Sequence, residues 1–218
     1  MRTILVLNPK GGCGKSTIAT NIAGYFAMRG KNVSLADCDT QCSSTDWLSV
    51  RPEHLATINH VPVKKGKLHV PGNTEILILD TSASIHGEKM ANIVRAAQTM
   101  IIPVLPSAID IRAAERFISD LIQLRKKSVN RKIKIATVAN RVNEMTIAAD
   151  KIDDYLYKIK LPDGKRIPYM ALLRASQNYV YAAEQGKTIF ELAPSRTGRD
   201  REKWKPLLRW LNSKRSLP

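Results

Sequence analysis

The sequence has few cysteines and no long apolar run. The cysteines Cys13, Cys38 and Cys42 form no C-x-x-C pair and show no regular spacing, so we expect reduced thiols rather than a disulfide framework or a metal site. No apolar run approaches the roughly 18 residues that a membrane span needs. The first strand leads at once into a glycine-rich loop, which leaves no room for a signal peptide. We therefore expect a cytoplasmic protein without a transmembrane segment.

Acidic residues are also scarce relative to basic ones. The 218 residues include 35 Lys and Arg against 19 Asp and Glu, giving a formal charge of +16. Residues 1–150 and residues 151–218 each carry a net +8, so the excess is concentrated toward the C-terminus. One bound nucleotide needs only a few cations. The remaining charge favours a polyanionic partner, either nucleic acid or an acidic membrane surface.

A candidate phosphate-binding loop lies near the N-terminus. The stretch N-P-K-G-G-C-G-K-S, residues 8–16, follows the apolar run 2–7 and precedes an apolar-periodic segment that begins at Ile18. In the order strand, glycine-rich turn, helix, backbone N–H groups and a helix N-terminus bind phosphate. Lys15 can reach the β- and γ-phosphates, and the Ser16 hydroxyl is placed to bind Mg²⁺.

Two further apolar strands end in carboxylates. Val33 to Asp37 leads into Asp37-Cys-Asp39-Thr-Gln41, and Glu75 to Asp80 is followed by small residues. Ligands of parallel α/β sheets bind at the carboxyl ends of the strands. Beside a phosphate loop, Asp80 resembles the Walker B carboxylate, which reaches Mg²⁺.

Strands and helices alternate along the whole chain, without repeats or low-complexity linkers. This order predicts one α/β domain over residues 1–218, with a single doubly wound, mostly parallel sheet flanked by helices. We expect the tail, residues 212–218, to be frayed. The predicted strands are 2–7, 33–37, 75–80, 99–104 and 132–139, with a further short edge strand within 51–73. The predicted helices are 17–29, 43–50, 87–97, 109–127, 145–159, 176–185 and 200–211.

The loop differs from the standard P-loop, because Pro9 stands where the first glycine is expected and Lys10 precedes the double glycine. This K-G-G-x-G-K-[ST] form resembles the deviant Walker A motif of the ParA/MinD family. Three later blocks resemble small ParA-type partition ATPases, which lack an N-terminal helix-turn-helix domain. They are D-x-D-T-Q at 37–41, with Thr40 where proline is usual, P-V-L-P-S-A-I-D at 103–110, and the segment 177–191, which ends in G-K-T-I-F-E.

The resemblance implies an ATPase that binds ATP with Mg²⁺ and dimerises around it. It implies that Lys10 and Lys15 contact the nucleotide, that Asp39 orients the attacking water, and that Asp37 supports the site. Ser16 and Asp80 would hold Mg²⁺, with Asp39 in its second coordination shell. The nucleotide would be bound by Lys10, Gly11, Gly12, Cys13, Gly14, Lys15, Ser16 and Thr17, by Asn140 at the adenine edge, and by Pro168 near the base.

The resemblance further implies partners. Members of this family bind nonspecific duplex DNA of the nucleoid and respond to a cargo-adaptor protein that stimulates hydrolysis. The cargo is a plasmid, a chromosome, a chemotaxis cluster or a protein organelle such as a carboxysome. The basic residues in late helices and loops are the candidates for DNA contacts: Arg174, Lys187, Arg196, Arg199, Arg201, Lys203, Lys205 and Arg209.

The last predicted helix leaves a second interpretation open. Trp204, Leu207, Leu208 and Leu211 fall on one face and are surrounded by basic residues. Such a helix docks on its own domain or anchors the protein to a membrane surface, as in MinD. The partition-type blocks favour DNA over membrane.

Overall fold

The apolar runs of the sequence form the strands of one parallel sheet. The structure is a computed structural model that describes residues 1–64, 67–127, 133–161 and 164–218. Seven strands pair in the order β3-β2-β6-β1-β7-β8-β9, and each neighbouring pair is parallel. The strands are β1 Arg2–Val6, β2 Val33–Cys38, β3 Ile58–Val61, β6 Ile76–Thr81, β7 Thr99–Val104, β8 Lys134–Val142 and β9 Tyr169–Arg174. The doubly wound, parallel α/β fold is therefore confirmed.

Helices cover both faces of the sheet. Helices α1 and α7 pack on one face with the Trp47 side chain of α2. The other face is covered by α3, α4 and α5. Such two-sided burial explains why the central strands are apolar throughout rather than alternating. The helices are α1 Lys15–Ala27, α2 Ser43–Ser49, α3 Gly87–Ala96, α4 Ala108–Lys127, α5 Ile147–Lys158, α6 Gln177–Glu184 and α7 Pro194–Leu211.

Smaller elements fill the connections. The predicted short edge strand is β3, and it is followed by a two-stranded antiparallel ribbon, β4 Val63–Lys64 with β5 Lys67–Leu68. The predicted strand 132–139 corresponds to β8, although residue 132 lies outside the described residues. Strand β9 has no counterpart among the predicted strands.

The topology places the glycine-rich loop at the centre of the molecule. Strand β1 lies between β6 and β7. From β1 the chain first builds the sheet on one side and then returns to build the other side, so the order reverses beside β1. Ligand crevices of open α/β sheets form where the strand order reverses.

The last helix is a packed element of the domain. Trp204 and Leu207 are fully buried, and Leu208 and Leu211 are also in the core. The apolar face is therefore covered by the sheet, and the structure contradicts the alternative of a membrane anchor on this helix. None of the helices in the described ranges has the length and hydropathy that crossing a bilayer requires.

The expectation of a frayed tail is also wrong. Residues Lys214–Ser216 form a 3-10 turn, and Ser216 is fully buried. The Arg2 guanidinium donates to the Leu211 carbonyl at 2.5 Å and to the Ser216 hydroxyl at 2.9 Å, and Thr99 donates to the Ser216 carbonyl at 2.6 Å. Burial among these groups lowers the pKa of Arg2 to about 10. The tail is ordered because it supplies the acceptors for a partly buried cation.

Candidate functional site

The carboxyl ends of the sheet strands surround one cleft of about 860 Å³. Its walls come from the glycine-rich loop after β1, the loop after β2, and the ends of β8 and β9. Of the predicted nucleotide-binding and catalytic residues, the cleft lining includes Gly11, Gly12, Gly14, Lys15, Ser16, Thr17, Asp39 and Asn140. Residues spread over 130 positions of sequence are thus brought to one edge of the sheet.

The glycine-rich loop has the backbone form of a phosphate cradle. Gly12 has φ 74° and Gly14 has φ 86°, in the left-handed region that favours glycine. A Cβ atom on Gly14 would lie 2.2 Å from the Asn140 amide nitrogen. Helix α1 begins directly after Gly14, so its first N–H groups face the cleft.

Lys15 is folded onto this loop. Its side chain is nearly buried, and its ammonium donates to the Lys10 carbonyl at 3.2 Å. The Cys13 thiol bonds to the same carbonyl at 3.2 Å, and burial raises the pKa of Cys13. The Lys10 N–H donates to the Asn8 carboxamide at 2.9 Å, which fixes the start of the loop. The Cys13 side chain is thus packed within the loop, and the nucleotide contacts predicted for Cys13 and Lys15 stay predictions.

Asp80 is a buried carboxylate at the end of β6. It has no exposed surface, and neither of its oxygens has a hydrogen-bond partner among the described residues. Burial raises the pKa of Asp80 to about 6, although the nearby Ser16 hydroxyl lowers this pKa in part. Carboxylate and hydroxyl oxygens are ligands that Mg²⁺ prefers, so Asp80 and Ser16 fit the predicted Mg²⁺ site.

The loop after β2 is organised by Asp37. Its carboxylate accepts the Asp39 N–H at 3.0 Å and the N–H groups of Ser44 and Thr45 at 2.9 and 3.0 Å. Asp39 in turn accepts the Gln41 N–H at 3.1 Å and lines the cleft. Asp37 therefore holds the loop in shape, as expected of a supporting residue. The role of Asp39 in positioning the attacking water stays a prediction.

The two residues predicted for the nucleobase have different positions. Asn140 lies in the cleft, and its amide donates to the Cys13 carbonyl at 2.8 Å. Pro168 precedes β9, and its carbonyl accepts the Thr137 N–H at 2.9 Å in the middle of β8. Because β9 runs from Tyr169 to Arg174 toward the cleft, Pro168 stands about 20 Å from the site, at roughly 3.3 Å per residue. The structure therefore contradicts the placement of Pro168 near the base.

The cleft wall that the sequence reasoning missed follows β9. Residues 174–177, R-A-S-Q, line the cleft together with Arg141. Arg141 is exposed and has φ 53°, a backbone conformation that is uncommon for a non-glycine residue and often marks functional sites. The signal available in the sequence was the apolar run 169–173 before the helix cap Ser176.

The candidate DNA contacts do not share one surface. Arg174 lines the cleft, and its guanidinium lies 3.3 Å from Glu144 and 3.5 Å from the buried carboxylate of Asp200. Arg201 donates to the carbonyls of Ile189, Phe190 and Leu192 and so serves the packing of α7. Both residues make these contacts within the domain, and their assignment as DNA contacts stays a prediction.

The other DNA-contact candidates lie on two opposite sides of α7, except Lys187, which lies in the segment before this helix. Arg196, Arg199 and Lys203 share one side of the helix by their spacing, whereas Lys205 and Arg209 lie on the opposite side. Glu144 accepts Arg199 at 2.8 Å and Lys203 at 2.5 Å. The remaining contacts are Arg196 over the Tyr181 ring, Lys205 with Glu202, and Lys187 with the Gln185 side chain.

Comparison with known proteins identifies relatives that match this chain over most of its length. Residues 4–189 match the family described as the CobQ/CobB/MinD/ParA nucleotide binding domain. The chain is 31% identical over 192 residues to protein ParA of Rhizobium radiobacter, covering 82% of this chain and 85% of that one. It is 29% identical over 197 residues to maintenance of carboxysome distribution protein A of Halothiobacillus neapolitanus, covering 87% of each.

A solved structure supports the same fold. A Cyanothece McdA variant in complex with ATP superposes with a TM-score of 0.69 at 15% identity, covering 95% of this chain and 96% of that one. The region that matches the family, residues 4–189, begins within β1 and extends beyond α6. It therefore includes the glycine-rich loop, the Asp80 strand and Asn140. The deviant loop is thus part of a match that runs through the whole cleft, and the chain belongs to the CobQ/CobB/MinD/ParA family of nucleotide-binding domains.

Proposed function

We propose that this protein is an ATPase of the ParA type that positions a cargo on DNA. Mg·ATP drives two chains into a dimer, the dimer binds duplex DNA without sequence preference, and hydrolysis stimulated by a cargo-adaptor protein releases it. The cargo is a plasmid or chromosome, or a protein organelle such as a carboxysome, as the names of the two relatives suggest. The observation that carries the proposal is the gathering of Lys15, Ser16, Asp80 and Asp39 at one edge of the sheet.

The residues of the cleft suit phosphoryl transfer, which depends on positioning and charge stabilisation. The glycine-rich loop and the start of α1 bind phosphate oxygens, and Lys15 turns from the Lys10 carbonyl toward the β- and γ-phosphates. Ser16 and Asp80 would hold Mg²⁺, which would supply positive charge against the phosphates. Asp39 aligns the attacking water, and Asp37 keeps the Asp39 loop in place. Asn140 borders the loop at Cys13 and turns toward the adenine edge.

Lys10 completes the site from the other subunit, in this proposal. Its backbone is fixed at the start of the loop, while its side chain is partly exposed. A site that is complete only in the dimer hydrolyses ATP slowly until two chains meet. The ATPase activity is therefore coupled to dimerisation.

Mixing two inactive variants tests this arrangement. Lys10→Ala lacks the reaching lysine, and Asp39→Ala lacks the water-aligning carboxylate. If Lys10 acts across the dimer, a mixed dimer has one intact site of two. With equal amounts of the variants pairing at random, half of the dimers are mixed, and the mixture recovers about a quarter of the wild-type rate. If Lys10 acts within its own subunit, both sites of the mixed dimer are defective and the mixture stays inactive. Lys15→Ala, which cannot bind nucleotide, is the control that must not rescue either variant.

The side of α7 that carries Arg196, Arg199 and Lys203 is the proposed DNA surface. Glu144 links this side to Arg174 in the nucleotide cleft. The net charge of +16 supports a polyanionic partner. Binding that neutralises several phosphates weakens steeply with added salt.

Two double variants of equal charge test the surface. Arg199→Ala with Lys203→Ala removes two cations from the proposed side, and Lys205→Ala with Arg209→Ala removes two from the opposite side. Binding to duplex DNA of random sequence is measured with ATP, ADP or no nucleotide over a salt series, with anionic liposomes in parallel. We expect ATP-dependent DNA binding by the wild type, and a salt slope lower by about 2 for the first double variant alone. Binding to liposomes without DNA binding would overturn the proposed partner.

A further inference from the structure

Ser44, in the first turn of α2, has a buried hydroxyl group that no other contact explains. The residue has no exposed surface, and its Oγ atom has no hydrogen-bond partner in the described ranges. Buried side-chain polar atoms are nearly always paired. An unpaired buried hydroxyl at the edge of a functional cleft therefore calls for a specific partner.

The backbone brings Ser44 to the site of the predicted cation. In the register of β2 and β6, Asp37 lies directly opposite Asp80. The Asp37 carboxylate holds the N–H groups of Ser44 and Thr45 at 2.9 and 3.0 Å. The start of α2 is thus tied to the neighbour of Asp80 on the adjacent strand.

Asp80 supplies the complementary group. Both of its carboxylate oxygens are buried and unpaired within the described part of the chain. An ionised carboxylate only accepts hydrogen bonds, whereas a serine hydroxyl can donate one. The Ser44 hydroxyl is close enough to act against the effect of burial on the pKa of Asp80. Both groups are buried beside Asp37, and one can donate the hydrogen bond that the other accepts.

We propose that Ser44 is a positioning residue for the divalent cation of this site: its hydroxyl donates to one oxygen of Asp80 and so orients the other oxygen toward the cation. The inference rests on the proposed function, in which Asp80 and Ser16 hold Mg²⁺. Groups that hydrogen-bond a metal-binding carboxylate fix its orientation, and their loss lowers metal affinity by about 10–100-fold. Ser44 extends the site from the β1 loop to α2.

The test measures cation binding separately from nucleotide binding. Ser44→Ala is compared with Ser49→Ala, which removes an exposed hydroxyl at the other end of the same helix. The affinity for Mn²⁺ is measured by electron paramagnetic resonance with saturating AMPPNP, and the affinity for AMPPNP is measured in EDTA. We expect Ser44→Ala to bind Mn²⁺ about tenfold more weakly, with unchanged AMPPNP affinity in EDTA. Ser49→Ala should match the wild type in both measurements.

The outcomes separate the two levels of the proposal. If the wild type binds no Mn²⁺ with AMPPNP, the proposed function fails and the role of Ser44 fails with it. If the wild type binds Mn²⁺ and Ser44→Ala binds it equally well, only the role of Ser44 is overturned. A loss of AMPPNP affinity in EDTA would also overturn it, because that loss indicates a structural role. Ser44→Cys keeps the volume with a weak donor; it replaces Ser44→Ala if that variant does not fold, with the same expected loss.

Discussion

Replacing Asp80 by asparagine should stabilise the protein at neutral pH in the absence of a cation. Burial raises the pKa of Asp80 to about 6, from an ordinary value of 3.8. Between these values the folded protein binds more protons than the unfolded chain, so stability falls as the pH rises through this window. At 1.36 kcal/mol per pH unit the full penalty is about 3 kcal/mol above the window. Asparagine removes the charge and therefore removes this dependence.

The prediction concerns the difference in free energy of unfolding between the variant and the wild type. The contributions of the other titrating groups cancel in this difference. Urea unfolding in EDTA should show the free energy of unfolding of Asp80→Asn gaining about 2 kcal/mol on the wild type between about pH 4.5 and about pH 7.5. Adding Mg²⁺ to protein already saturated with AMPPNP should stabilise the wild type further and should stabilise the variant much less. A difference that stays constant with pH would refute the reasoning, because it would mean that Asp80 does not carry a buried charge.

Three further substitutions test the surroundings of the site. Gly14→Ala forces φ 86° on alanine and a 2.2 Å contact with Asn140, so nucleotide titration should show no binding and urea unfolding a loss of at least 1–2 kcal/mol. Arg201→Ala removes three bonds to backbone carbonyls and should cost about 2–3 kcal/mol in unfolding; a change in the salt slope of DNA binding would contradict its packing role. Arg51→Ala leaves Glu191 buried without its 2.6 Å partner, with an expected loss of about 3–5 kcal/mol; a joint replacement of Arg51 and Glu191 by Met and Leu should recover most of it.

The parts of the site that depend on local sequence were predictable. Glycines at positions 12 and 14 are typical of positive φ angles, which both residues have. Lysine followed by serine at the start of a helix indicates a phosphate loop. Asp80 was predictable because the apolar run before it has no polar interruption, as buried parallel strands require. These signals lie within a few residues of the groups that they predict.

The parts that depend on distant contacts were not predictable. The tail is ordered by Arg2, more than 200 residues earlier in the chain. Helix α7 begins at Pro194, because proline suits the first turn of a helix and packing outweighs the poor propensity of Gly198. Strand β9 lies at the edge of the seven-stranded sheet, and its pairing with β8 contains register shifts. Pro168 was misplaced because its position relative to the cleft depends on the direction of that missed strand.

The central position of β1 also has a consequence for folding kinetics. Arg2 pairs with Ile76 on one side and Ile4 with Thr99 on the other. The chain segments between these paired residues must close into loops before the central strands of the sheet can pair. Such non-local pairing slows folding. We therefore expect the glycine-rich loop to become rigid only after both neighbouring strands have docked. We expect a nucleotide that binds this loop chiefly to slow unfolding, because interactions that form after the folding transition state act on the unfolding rate.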